Sequence, residues 1–255
     1  MTAPFTRLLI EAATRSQADL EKPWTWPGHE GEQLQGRYLY FALLRLEQGA
    51  VAASSPAETE AARLVDIAQA AFGDFRGLLA GLREEDLDRS PGEGEWSLRR
   101  VYRHVLGVEL RYAQQVSYAL ARSDQDPVYI TPTTSSEVPP EEAAGGPAEL
   151  IERLADARRQ SLPFRELTAA ELVRPTRWAG HDVDVRFRLH RFAEHLAEHT
   201  VHCQKQLAAL GIQPTEAGEL VRRLSVLRGR HELRTSLSEL DRLDAEEEAL
   251  LRTLG

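Results

Sequence analysis

The chain has 255 residues, with 40 acidic against 31 basic side chains, a formal charge of −9, eight His and a single Cys. That acidic balance argues against a nucleic-acid-binding face, and a lone Cys203 excludes a disulfide scaffold or a thiolate-only zinc knuckle. No apolar run approaches the roughly 18 residues that cross a bilayer, and Arg7, Glu11 and Arg15 interrupt any signal-peptide core, so a cytoplasmic protein with no membrane partner is expected.

In chain order, residues 5–20 predict a helix, the stretch from Lys22 to Gly28 a break at Pro23 and Pro27, and residues 33–53 a second helix. These form an N-terminal extension over 1–56. Leu64, Ile67, Ala68, Ala71, Phe72, Phe75, Leu78, Leu79 and Leu82 then recur at spacings of three and four. They predict an amphipathic helix over 57–82, with Pro56 near its start. Pro91, Gly92 and Gly94 break the chain before a helix capped by Ser97 and running to about Ala121. Its apolar face carries Leu98, Val101, Val105, Val108, Tyr112 and Val116. Residues 123–146 are polar and rich in Pro, too long for a simple turn, and are expected to be mobile or functional.

Pro147 opens a third helix through Leu150, Ile151, Leu154 and Ala157, with Pro163 ending or kinking it. Alternation over Val183, Val185 and Phe187 suggests a short strand or extended entry. A fourth helix covers 186–210, closed by Gly211 at the C′ position with Pro214 beyond. Two more helices over 215–254 belong to a C-terminal extension, 212–255. The predicted class is all-α: a four-helix bundle over 57–211, its long second-to-third connection permitting a crossover, with extra helices at both ends. The flanking helices are expected to pack on the bundle or build a dimer contact.

Half of the histidines lie between His190 and His202. At about 100° per residue, His195, His199 and His202 fall within about 60° of one another, Gln206 continues the line, and His190 points elsewhere. An i,i+4 His pair can aim both imidazoles at one cation, although such a pair is more often a hydrogen-bonded edge of a core. His104 flanks the apolar face of the second helix beside Val101 and Val108, so two such edges can meet across the bundle. Position 196 is Leu, which removes the His-Glu-x-x-His pattern of zinc proteases, and no Glu stands three residues before these histidines, as di-iron bundles need. Phosphate-binding glycine motifs and a Gly-x-Ser-x-Gly nucleophile are absent. Cys203, beside Leu196 and Leu207, is expected to be a buried inert thiol rather than a nucleophile. His29, His181, His190 and His231 are left without a role.

A Trp96-Ser97 helix start followed by His104, and then His195-x-x-x-His199 on a fourth helix, resembles the DinB/YfiT-like superfamily over residues 57–211. The resemblance implies a four-helix bundle with a crossover, a homodimer, and a divalent metal on His104, His195 and His199. Many relatives show a doubled His and then Gln on the last helix. Here the run is His202-Cys203 and then Gln206, leaving contacts from His202 or Cys203 open. Zn²⁺, Ni²⁺, Fe²⁺ and Mn²⁺ all accept three imidazoles. Characterised relatives include S-transferases and isomerases that use low-molecular-weight thiols such as bacillithiol or mycothiol. The resemblance therefore implies a small-molecule substrate and thiol activation for S-transfer in detoxification or stress response. A metal-dependent hydrolase, or a non-catalytic stress or interaction protein with a vestigial site, are the alternatives. Trp96, Arg111, Tyr112 and Trp178 are candidates for the pocket mouth, with His202 and Gln206 beside the ligands. Trp96 equally fits a helix-start packing role and Arg111 a surface charge. Glu109 and Glu198, the nearest acids in sequence, are expected to be solvated on other helix faces.

Overall fold

The computed structural model describes residues 3–28 and 33–254. The helices are α1 (Ala3–Ala13), α2 (Gln17–Glu21), α3 (Tyr38–Ala53), α4 (Glu60–Ala80), α5 (Glu84–Leu87), α6 (Leu98–Ala121), α7 (Pro147–Arg159), α8 (Ala169–Leu172), α9 (Val185–Ala209), α10 (Glu216–His231) and α11 (Leu237–Arg252). Two short antiparallel pairs accompany them, β1 (Pro23–Trp24) with β2 (Leu34–Gln35) and β3 (Pro175–Trp178) with β4 (His181–Asp184). None of the described helices is long and apolar enough to cross a membrane.

Local chemistry sets most boundaries. Ser97 accepts a bond from the Arg100 amide and starts α6 where the sequence predicts; Thr59 and Asp184 cap α4 and α9 in the same way. Three expectations change. The predicted 5–20 helix breaks at Thr14–Ser16, because Ser16 and Asp19 form a capping box that starts a new helix. The 33–53 helix begins only at Tyr38, since Leu34–Gln35 pairs with Pro23–Trp24. The strand pattern over Val183–Phe187 splits: Val183 lies in β4, whereas Val185 and Phe187 already belong to α9. α7 stops at Arg159, before Pro163, which sits in a 3₁₀ turn.

α4, α6, α7 and α9 form a four-helix bundle in which α9 and α7 each touch both α4 and α6, leaving α4 and α6 on a diagonal. Glu60 meets Arg186 at the starts of α4 and α9, so those two helices run parallel. Tyr102 donates to Leu150 O and Arg158 to Glu109, pairing α6 and α7 in the same direction. Two consecutive parallel helices require a crossover, and residues 123–146 supply it. This segment runs back along α6, held by Arg111 on Thr134 O, Arg103 on Val138 O and Tyr118 on Pro127 O. Gly107 lets it approach: a Cβ there would stand 2.8 Å from Ser135 O.

The terminal helices pack on the same bundle. α10 lies antiparallel to α4 at close range, since a Cβ at Gly73 would meet Ser225 O at 2.4 Å and one at Gly229 would meet Gln69 O at 2.5 Å. Apolar residues of α1, α3, α10 and α11 join those of α4, α6 and α7 in one core. A second core, built from Val108, Tyr112, Val116, Val185, Leu189 and Phe192, lies under the other half of the bundle. Between α3, α10 and α11, Arg228 binds Glu47, Asp244 and Glu247 at 2.6–2.9 Å, all buried. His231 joins this network through Glu47; His29 lies outside the described residues.

Candidate metal centre

α6 and α9 cross antiparallel, with Trp96 near His202 at one end and Tyr112 against Phe192 at the other. That alignment brings His104 opposite His195 and His199. The Nε2 atoms of His104 and His195 are 3.2 Å apart, and one ligand nitrogen from each of the three histidines lies within 4.8 Å of the others. Two nitrogens at zinc bonding distance in a tetrahedral arrangement stand about 3.3 Å apart, so this spacing fits a cation between them.

Electrostatics agree with the geometry. Burial lowers the His195 imidazole to about 2 and His199 to about 4, with the neighbouring imidazoles adding to the effect. Burial also lowers His104, against a hydrogen bond to the Ser136 backbone. All three are therefore neutral near pH 7, the form that ligates a metal. Nδ1 of His199 is buried with no hydrogen-bond partner. Three converging neutral imidazoles, one of them with a ring nitrogen that no described residue satisfies, are the donor set a borderline divalent cation takes.

His202 is half-buried, its ring 5.8 Å from that of His199, and its Nε2 faces Gln206 Nε2 at 3.1 Å. Gln206 is buried behind it. Neither belongs to the converging set. Cys203 turns into the core with Leu196 and Leu207, is 1% exposed, and burial pushes its thiol up to about 12. His190 and His181 are exposed, as the helix-wheel argument requires for the former.

The three histidines open on a cavity of about 790 Å³. Trp96, Arg111, Tyr112 and Trp178 all line it, as does His202. Trp96 packs edge-on against His104, Tyr112 against His195, and Trp178 stacks under Arg191. The β3–β4 hairpin forms the rim through Ala179 and Gly180, whose φ values of +48° and +85° give a tight two-residue turn.

Glu109 departs from expectation, whereas Glu198 is solvated as expected and departs only in facing the cavity. Glu109 is 3% exposed and ion-pairs with Arg158 at 2.7 Å inside the bundle, so it is neither solvated nor free to act. Glu198 is exposed but stands on the cavity wall, with Arg191 at 3.8 Å. Arg188 also lines the cavity and was not singled out in the sequence. Its signal was present: it precedes His195 by seven residues, about two turns, and so shares the histidine stripe.

The family model described as the DinB superfamily matches residues 68–203. No curated protein matches the chain. Among solved structures, YfiT from Bacillus subtilis is similar at 14% identity and a TM-score of 0.48, covering 62% of this chain and 94% of its own. That protein is described as a probable metal-dependent hydrolase with an unusual four-helix bundle topology.

Proposed function

The chain belongs to the DinB superfamily, whose model spans more than half of it, and from that premise we propose that it is a divalent-metal-dependent enzyme acting on a small molecule, with a low-molecular-weight thiol as cosubstrate. The observation that carries this reading is the convergence of three neutral imidazoles on the wall of a roomy cavity. His104, His195 and His199 would hold the ion and leave coordination positions open toward the cavity, the arrangement of a catalytic rather than a structural centre. A bound divalent ion would lower the pKa of a thiol and favour the thiolate.

The remaining chemistry asks little of the protein. Trp96, Tyr112 and Trp178 give the cavity aromatic walls against which an apolar reactant can pack. Glu109, the one buried acid near His104 in sequence, is tied to Arg158. S-transfer suits such a place, since a thiolate needs no further base once formed.

One observation favours a second reading. Glu198 is the carboxylate on the cavity wall, and as a general base it would support metal-dependent hydrolysis. Elemental analysis of untagged protein, followed by turnover assays, separates these ideas. Thiol transfer predicts about one divalent ion per chain and consumption of an electrophile only when a thiol is added. Hydrolysis predicts ester or amide turnover without thiol, lost in Glu198→Gln. Absence of bound metal, both as purified and after reconstitution, would sink both.

A further inference from the structure

Arg188 is 1% exposed and has no acidic partner among the described residues. Every other fully buried arginine of comparable size is answered: Arg76 by Glu232 and Ser225, Arg228 by three carboxylates. Arg188 makes no hydrogen bond to any described residue, and its Nε is buried and unpaired. Its one specific contact is the face of Tyr112, 5.6 Å from the ring centroid, and that ring in turn packs 5.8 Å from His195.

A buried charge without a counter-ion is costly, and folds normally pair it or neutralise it. Here the neighbouring cations make the position worse, since Arg111 and Arg191 both act against the charge of Arg188. Arg191 is matched by Glu194, and Arg111 by the carbonyl of Thr134. That leaves Arg188 as the unmatched fork of donors, on the wall of the cavity that holds the three histidines.

We infer that Arg188 is the binding group for a carboxylate on the substrate, held in the same cavity as the histidine cluster. A guanidinium presents parallel N–H donors matched to the two oxygens of a carboxylate, and burial strengthens that pairing. The aromatic walls fit an apolar body behind the carboxylate. The inference rests on the cavity being a substrate site, as proposed above, but not on the metal.

Its test is therefore run on metal-free, full-length protein, by calorimetric titration with benzoate, its neutral analogue benzamide, and phenyl phosphate. Wild-type protein is expected to bind benzoate at least about tenfold tighter than benzamide, the scale of one charge-assisted bidentate contact. Arg188→Met should abolish the preference while leaving the melting temperature unchanged or raised, because a neutral side chain removes an unpaired buried charge. Should Arg188→Met fail to fold, Arg188→Lys decides, since it keeps the charge but loses the fork and should weaken benzoate binding several-fold. Equal binding of benzoate and benzamide, a preference that survives Arg188→Met, benzoate binding undiminished in Arg188→Lys, or tighter binding of phenyl phosphate than benzoate would overturn the assignment. Because no metal is present, failure here leaves the metal reading standing, and failure of metal binding leaves this result unaffected.

Discussion

The Nε2 atoms of His104 and His195 stand 3.2 Å apart although 91 residues separate them in sequence. Two imidazoles this close cannot both carry a proton between them without repulsion, and burial already holds both neutral. The contact therefore exists either as one hydrogen bond or as two ligands facing the same cation.

The second case predicts that ligand removal is severe. His104→Ala, His195→Ala and His199→Ala should each lower divalent-metal affinity by more than the 10–100-fold that loss of an outer-shell partner costs. Metal content by mass spectrometry and competition with a chromogenic chelator measure this. Gln206→Ala, one step removed, should retain metal.

The lowered histidines also set a pH dependence in the chelated protein. In the unfolded chain these imidazoles take up protons at about 6.5. In the folded protein His199 does so only near 4 and His195 near 2. Below pH 6.5 the unfolded state thus binds more protons, so stability is fully present above that value and falls as pH drops toward 4 and below. Thermal melts from pH 7.5 to 4.5 should show the decline, and His195→Phe should flatten it.

The buried Glu109–Arg158 pair is a structural element with an effect on stability rather than on the cation. Arg158→Ala leaves a carboxylate uncompensated in the core and should cost about 3–5 kcal/mol in urea unfolding. The double replacement Glu109→Leu with Arg158→Met should recover most of that loss. Metal stoichiometry should be unchanged in the double variant.

Arg228 binds three acidic side chains from two helices, and burial together with Glu47 pushes Glu247 well above its ordinary range. Arg228→Met should release α11 before the bundle melts. Hydrogen exchange over 237–252 would then rise selectively, whereas uniform exchange across the chain would contradict this.

Cys203 provides a simple check on the core. With 1% exposure and a thiol pushed up to about 12, it should resist a disulfide reagent in native protein and react at once in denaturant. Rapid native labelling would mean that α9 is turned differently, which would also move the histidine stripe.

Much of this protein was legible from spacing alone. Apolar residues every three or four positions mark α4, α6, α7 and α9, Ser97 starts α6 and Gly211 closes α9, because these are local properties of a hydrogen-bonded helix. The same periodicity places His195, His199 and His202 on one stripe and removes His190; only the packing separates His202 from the converging set. The pairing of two helix edges across a bundle offered His104 as a third ligand, which its own surroundings could not, and resemblance to a family implied the full set.

What tertiary structure decided was everything that depends on a partner far away in sequence. Glu109 reads as a solvated acid until Arg158 arrives from α7, and residues 123–146 read as a mobile or functional stretch until they lie along α6 beside Gly107. Arg188 looks like one scattered arginine among many; only the packing around it reveals a buried charge with no acidic partner among the described residues. Periodicity records which face of a helix turns inward, but charge pairing is a property of the space between helices, and that space exists only once the bundle has formed.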